Sequence, residues 1–197
     1  MSRRIAFLDF DGTITSKDTM LEMLRYTFGP WKFMLGFLLN SPFIVAYKLG
    51  IISNHDAKQR VLRFFFGKFP VEKFNAFCLD YAVRAMPLVV RGKALHEIGL
   101  LKGQGAEIVV VSASPENWLR PWCDEMEVQL LATRLEVKDG RITGNIAGQN
   151  CYGEEKVRRI REAYDLSQYQ QIWCYGDTSG DKPMLELATF CFYKPFR

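Results

Sequence analysis

Three apolar runs along the chain alternate with longer amphipathic segments, and each run ends in polar residues. The runs cover residues 4–10, 106–114 and 171–177 and are rich in β-branched, aromatic and other large apolar side chains. Continuous apolar runs of this length predict strands that are buried on both faces. Because the strands alternate with helical patterns, we predict an α/β fold with a doubly wound, Rossmann-like parallel sheet.

A long segment without strand-like alternation separates the first two runs. Its pattern is helical from about residue 17 to residue 85, and this block is larger than an ordinary crossover connection. We therefore predict an inserted all-helical cap over residues 15–86, with residues 1–14 and 87–197 forming the α/β core. Four pairs typical of helix boundaries interrupt the segment: Gly29-Pro30, Ser41-Pro42, Ser53-Asn54 and Phe69-Pro70.

The second half of the chain carries further local signals. Ser114-Pro115 predicts a helix start, with the serine as cap and the proline in the first turn. Residues 130–137 and 141–146 alternate as strands around Lys138-Asp139-Gly140, which predicts a hairpin. Residues 189–193 predict a final strand.

An uncharged stretch, residues 33–47, has two interpretations. It is shorter than the ~20 apolar residues that cross a bilayer, and Pro42 interrupts it. The first interpretation is a pair of buried helices. The second is a surface that contacts lipid or an apolar substrate, which predicts a peripheral membrane contact through the cap.

The composition argues against nucleic-acid binding, a disulfide framework and a zinc site. Hydrophobic residues make up 48% of 197 residues, which is enough for a sizeable core, and the net charge is +4 without a basic run. We therefore expect no nucleic-acid partner. The five cysteines form no CxxC pair, which favours reduced thiols in a cytoplasmic protein over a disulfide framework or a zinc site.

The candidate chemistry lies where the predicted strands end. Asp9 and Asp11 follow the first strand, and Asp177 follows the third. Ligands bind at the carboxyl ends of strands in such sheets, so these carboxylates are expected to share one site. Without a cation they would repel one another, whereas Mg²⁺ prefers oxygen ligands of this kind.

Three further residues are candidates for the same site. Ser112 offers a hydroxyl, and the backbone amides that follow it, including that of Ala113, suit a phosphate oxygen. Lys156 would supply positive charge for phosphoryl oxygens, and Asp181 would orient the metal ligands from one helical turn away. Each also has a purely structural alternative, as a strand end, a solvated basic residue and a helix cap respectively.

These residues resemble the four motifs of the haloacid dehalogenase superfamily, in its phosphatase branch. The matching segments are DFDGT at 9–13, Ser112, Lys156 and GDTSGD at 176–181, in the family's order and across nearly the whole chain. The helical segment after the first motif resembles the cap of the phosphoserine-phosphatase-like subgroup.

The resemblance implies an Mg²⁺-dependent phosphatase that acts on a small phosphorylated substrate. Asp9 is implied to be the nucleophile that forms an aspartyl-phosphate, and Asp11 the acid and base. Asp9, the Asp11 backbone carbonyl and Asp177 are implied to hold the metal. The phosphoryl group is implied to contact Gly12, Ser112, Ala113 and Lys156.

The cap is expected to select the substrate. Asp18 and Arg60 resemble the cap residues that meet the amino and carboxylate groups of phosphoserine, although a helix cap and a solvated charge are equally good interpretations. The segment after Ser112 departs from the glycine pair of the phosphoserine phosphatases, and the segment around Lys156 is closer to a less characterised sister group. That sister group also resembles a phosphatidylglycerophosphate phosphatase. The sequence therefore leaves three alternative functions: a phosphatase of a phosphoserine-like metabolite, a lipid-phosphate phosphatase, and a non-catalytic phosphate-binding or partner-binding module.

Overall fold

The computed structural model describes residues 3–197, and its central element is a five-stranded parallel sheet. The strands are β1 (Arg4–Leu8), β3 (Ala106–Pro115), β4 (Gln129–Thr133), β7 (Gln171–Gly176) and β8 (Phe190–Tyr193). Their order is β4-β3-β1-β7-β8, and every neighbouring pair is parallel. The predicted Rossmann-like α/β fold and the final strand are both confirmed.

Side chains alternate between two core layers because successive strand residues point to opposite faces. Ala6 and Leu8 pack in one cluster with helices α4 (Gly92–Gly103) and α5 (Glu116–Glu125). Ile5 and Phe7 pack in a second cluster with α6 (Glu154–Ala163) and α7 (Lys182–Leu185). Burial on both faces explains why β1 is apolar throughout.

Three helices occupy most of the segment predicted as the cap. They are α1 (Thr19–Lys48), α2 (Asn54–Phe66) and α3 (Val71–Arg84), and a two-residue strand, β2 (Phe69–Pro70), precedes α3. The division into core and cap at residues 15–86 stays a prediction.

Two of the predicted helix-breaking pairs, Gly29-Pro30 and Ser41-Pro42, lie within α1, and the first of them interrupts the helix. At Gly29 the backbone turns to φ +75° and ψ 166°, so the helix kinks there before Pro30. The predicted break at Ser41-Pro42 is wrong, because the helix continues through Pro42. Its missing N–H would have met the carbonyl of Leu38, and the Ser41 hydroxyl donates to that oxygen instead, at 2.7 Å.

The predicted hairpin needs one correction. Residues 130–137 do not form one strand, because β4 ends at Thr133 in the parallel sheet and β5 (Leu135–Lys138) begins a separate antiparallel sheet. Strand β5 pairs with β6 (Arg141–Ile146). Asp139 and Gly140 form the turn with φ of 50° and 69°, as a type I′ hairpin requires.

Helix α1 is the longest helix of the described residues, at 30 residues, and it carries many apolar side chains. Throughout residues 3–197, no helix combines the length and hydropathy that a bilayer crossing needs.

Candidate active site

One cavity of about 710 Å³ lies at the carboxyl ends of the strands β1, β3 and β7, between the sheet and the helices α1 and α2. Asp9 follows β1 directly, and Asp177 follows β7. The parallel register places Leu8 beside both Val110 and Tyr175, so the strand ends meet at one edge. The lining includes eight of the predicted residues: Asp9, Asp11, Gly12, Asp18, Ala113, Lys156, Asp177 and Asp181.

The two aspartates of the first motif have different neighbours. Asp9 accepts a hydrogen bond from the Lys156 ammonium at 2.6 Å and one from the Thr13 hydroxyl at 3.0 Å. Asp11 accepts one from the backbone N–H of Thr19 at 2.6 Å and one from the Ser114 hydroxyl at 2.6 Å. Asp9 is therefore held by the core, and Asp11 is held between the start of α1 and the loop after β3.

A lysine is buried among carboxylates at the base of the cavity. Lys156 Nζ lies 2.6 Å from Asp9 Oδ1 and 2.7 Å from Asp181 Oδ1, and the lysine is only 1% exposed. Burial alone would lower the pKa of Lys156, but the two carboxylates outweigh it and raise that pKa. The lysine therefore stays charged, and its alternative as a solvated basic residue is wrong.

Burial dominates the ionisation of the Asp9 carboxyl. It raises the pKa of Asp9 to about 7, with the negative charges of Asp181 and Asp11 adding to the effect and Lys156 opposing it. The Lys156 ammonium thus faces the carboxylates of Asp9 and Asp181 with Asp11 nearby, so the base of the cavity has an excess of negative charge. A divalent cation would relieve that excess.

Asp181 orients its neighbours through hydrogen bonds. Its Oδ2 accepts from the backbone N–H of Asp177 and of Thr178, at 3.1 and 2.9 Å, and from the Thr178 hydroxyl at 2.8 Å. The Thr178 side chain also accepts from the Asp181 backbone in a capping box. The predicted orienting role and the predicted helix-cap alternative therefore describe the same set of contacts.

The acidic cluster fits a metal ion. Ligand atoms of Asp9, Asp177 and Asp181 all lie within 4.8 Å of one another. Asp177 Oδ1 is buried, and no hydrogen-bond partner for it lies within residues 3–197, which is unusual for a buried carboxylate oxygen. Its Oδ2 accepts from Arg197 at 2.5 Å. Asp181 accepts four hydrogen bonds, whereas Asp9 accepts two and Asp177 Oδ1 accepts none within residues 3–197. Asp9 and Asp177 are therefore the carboxylates best placed to bind the ion.

Gly12 shapes the wall beside Asp177. Its φ of +83° lies in the left-handed region, and a Cβ built there would be 2.5 Å from Asp177 Oδ2. Only a residue without a side chain fits that approach.

The loop after β3 differs from the expectation. Strand β3 runs to Pro115, α5 starts at Glu116, and no side chain caps it, so the predicted Ser114 cap is wrong. A register shift between Ser112 and Pro115 redirects the strand. As a result the Ser114 hydroxyl reaches Asp11, whereas the Ser112 hydroxyl is buried and accepts from the Ser114 backbone at 3.0 Å.

The cap contributes a cation that the sequence argument missed. Lys58 lines the cavity and donates to the Ala113 carbonyl at 2.8 Å and to Asn150 Oδ1 at 3.2 Å. Burial lowers its pKa, although Asp11 and Asp18 oppose that shift. The signal was its spacing from the buried Val61 and Leu62, at i+3 and i+4 on the same face of α2.

The two predicted cap residues have different surroundings. Asp18 caps α1 by accepting from the Leu21 N–H at 3.1 Å and also lines the cavity, so its two interpretations are compatible. Arg60 stacks on the ring of Phe43, with its guanidinium carbon 3.7 Å from the ring centre. On this geometry Lys58, and not Arg60, is the cap cation that faces the site.

Residues 6–186 match the family described as haloacid dehalogenase-like hydrolase. The chain is 35% identical to the protein CicA of Caulobacter vibrioides over 98% of its own length and 86% of that protein. It is 29% identical to a probable phosphatase of Mycobacterium tuberculosis, over 94% of this chain and 66% of that protein.

The fold also resembles that of a phosphoserine phosphatase solved in complex with its substrate. That structure aligns with a TM-score of 0.66 over 98% of this chain and 86% of its own, at 19% identity. The family match covers most of the described residues. The chain belongs to the haloacid dehalogenase-like hydrolase family.

Proposed function

We propose that the protein hydrolyses a phosphomonoester with Mg²⁺ through an aspartyl-phosphate on Asp9. The observation that carries this proposal is the meeting of Asp9, Asp11, Lys156 and Asp177 in one cavity. Asp9 and Asp177, with the Asp11 backbone carbonyl, would hold the ion. Bound there, Mg²⁺ would neutralise negative charge on the phosphoryl oxygens.

The first half of the reaction transfers the phosphoryl group to the protein. A carboxylate oxygen of Asp9 attacks phosphorus, and the bond from phosphorus to the ester oxygen breaks. The Asp11 carboxyl gives its proton to the departing alkoxide. The Ser114 hydroxyl and the Thr19 N–H hold the Asp11 carboxyl in position for this proton transfer.

The second half releases phosphate. The Asp11 carboxylate takes a proton from water, and the resulting hydroxide attacks phosphorus, which frees Asp9. Lys156 stays charged and stabilises the negative charge of the phosphoryl oxygens in both halves. Thr13 and Lys156 together fix the orientation of the Asp9 carboxyl.

The substrate that we propose first is a small metabolite with a second polar group, such as a phosphoserine-like compound. Asp18, Asn54 and Lys58 bring both charge signs and an amide to the cap side of the cavity. A second candidate is a lipid phosphate, because Phe37, Ile44 and other apolar side chains of the cap line the same cavity.

Phosphate release tests both the chemistry and the substrate class. The substrates to compare are phosphoserine, sugar phosphates, nucleotides and phosphatidylglycerophosphate in detergent. We expect release with Mg²⁺, none with a chelator, and a loss of more than about 10⁴-fold in Asp9→Asn. Asp11→Asn should lose about 10²- to 10⁴-fold.

Asp139→Asn is the matched control, because this residue lies in the hairpin turn between β5 and β6. It should keep full activity. Multiple turnover by Asp9→Asn at the rate of the original protein would contradict the proposed nucleophile, and release that persists in a chelator would contradict the metal.

A further inference from the structure

The second half of α1, residues 30–48, is apolar on both of its faces. On one face Gly36 packs against Phe65, and Asn40 is buried with its side chain bonded to the Gly36 carbonyl. A helix that is apolar all round is typically buried on every side. This helix is covered by its own protein on one side only.

The uncovered face is a continuous apolar stripe. We define the stripe by five helix residues and the residue that follows the helix, each three, four or seven positions from another member: Trp31, Met34, Leu35, Leu38, Val45 and Leu49. Trp31 is 83% exposed and Leu38 is 69% exposed. The first interpretation of residues 33–47, a pair of buried helices, is therefore wrong. An exposed apolar patch of this length indicates an interaction surface.

The charges around the stripe identify its partner. Arg25, Lys32 and Lys48 are all exposed, and no Asp or Glu occurs anywhere between residues 23 and 55. A second copy of this chain would bring the same cations face to face without a carboxylate to pair them. An anionic lipid surface offers an apolar layer for the stripe and negative headgroups for the cations.

We propose that the apolar stripe inserts into the surface of an anionic lipid bilayer, with the second half of α1 lying in the plane of the membrane. Lys32 and Lys48 stand at its two ends, where their long side chains reach the headgroups. Trp31 is suited to the boundary between headgroups and acyl chains. The helix lies on the membrane, in agreement with the absence of any spanning helix within residues 3–197.

This docking surface is independent of the phosphatase chemistry, because none of the stripe residues lines the cavity. Its test is therefore co-sedimentation with vesicles and not turnover. Vesicles of phosphatidylglycerol and phosphatidylcholine in equal parts should bind the protein, and vesicles of pure phosphatidylcholine should bind it at least about 10-fold more weakly. Raising the salt concentration should weaken binding to the anionic vesicles.

Matched variants assign the binding to the stripe. Leu35→Gln with Leu38→Gln should weaken vesicle binding by at least about 10-fold. Val83→Gln with Leu88→Gln, at exposed apolar positions outside the stripe, should leave it unchanged. Each of Lys32→Gln and Lys48→Gln should weaken binding to anionic vesicles by about fivefold. Circular dichroism should show that all variants fold, since surface changes of this kind have small effects on stability.

Two results would overturn the proposal. The first is equal sedimentation of the original protein and the Leu35→Gln, Leu38→Gln variant with anionic vesicles, or no sedimentation of either. The second is a dimer of the original protein, seen by light scattering, that the same variant dissociates, because a second copy would then cover the stripe.

Discussion

Replacing Lys156 by methionine tests the buried ion pair at the base of the site. The substitution keeps most of the side-chain volume and removes the ammonium that Asp9 and Asp181 share at 2.6 and 2.7 Å. Removing one partner of a buried ion pair costs about 3 to 5 kcal/mol of unfolding free energy, because it leaves buried charge without a partner. For a chain of this size that corresponds to a fall in Tm of roughly 6 to 20 °C.

The loss of unfolding free energy in Lys156→Met should depend on pH in a defined direction. Burial already raises the pKa of Asp9 to about 7, and it rises further without the ammonium. A carboxyl whose folded pKa exceeds its unfolded value near ~3.9 binds protons on folding, so its penalty falls as the pH falls. Asp181 changes the difference in the same direction. Burial would raise its pKa, but the lysine lowers it in the original protein, so Asp181 gives that protein stability that is lost as the pH falls. The difference in stability between the variant and the original protein should therefore shrink between pH 8 and pH 5.

Urea unfolding followed by circular dichroism in a chelating buffer measures both effects. Arg158→Met is the matched control, because Arg158 lies on the same helix and pairs with Glu155 and Glu162 at the surface. Such surface pairs contribute little to stability because water screens them. If Lys156→Met were no more destabilising than Arg158→Met at pH 8, the buried ion pair would not have the role that we assign to it. Adding Mg²⁺ should recover part of the lost stability.

Three other predictions concern the cavity wall, the cap and the thiols. Gly12→Ala should reduce phosphate release by more than about 10²-fold, since its Cβ would displace the Asp177 carboxylate, whereas Gly148→Ala, at a similar φ of +80° in open space, should not. Lys58→Met should raise KM for an anionic metabolite by about 10-fold with a smaller effect on kcat. A thiol reagent should label Cys191 in the folded protein and all five cysteines in urea, because the other four are buried.

The strand ends could be predicted from the sequence because they depend on local patterns. An apolar run ends at the residue where the chain leaves the sheet, and parallel strands bring such ends to one edge. Asp9 and Asp177 follow from this rule alone. Lys156 lies on a helix that the same rule does not place, so its contacts with Asp9 and Asp181 depend on how α6 packs against the sheet.

Contacts between distant segments could not be predicted in the same way. Ser114 has the pattern of a helix cap, and only the shift in register between β3 and β4 directs its hydroxyl toward Asp11. Arg60 and Lys58 are both basic residues of α2, and a difference of two positions places them on opposite faces. Which face meets the cavity depends on how α2 packs against the rest of the chain.

Two local patterns gave wrong predictions, the helix break at Pro42 and the single strand over residues 130–137. The Ser41 hydroxyl satisfies the carbonyl that Pro42 leaves free, so the helix continues. The residues of β4 and β5 share one alternating pattern, but the chain changes sheet at Arg134. Periodicity identifies a strand without identifying the sheet to which it belongs.

The most direct test of the central claim is to trap the phosphorylated protein during turnover. Acid quenching, followed by trypsin digestion and mass spectrometry, should find the mass of one phosphoryl group on the peptide of residues 5–17. Asp9→Asn should form none of this species. A phosphoryl group on another peptide, or on the same peptide in Asp9→Asn, would contradict the assignment of Asp9 as the nucleophile.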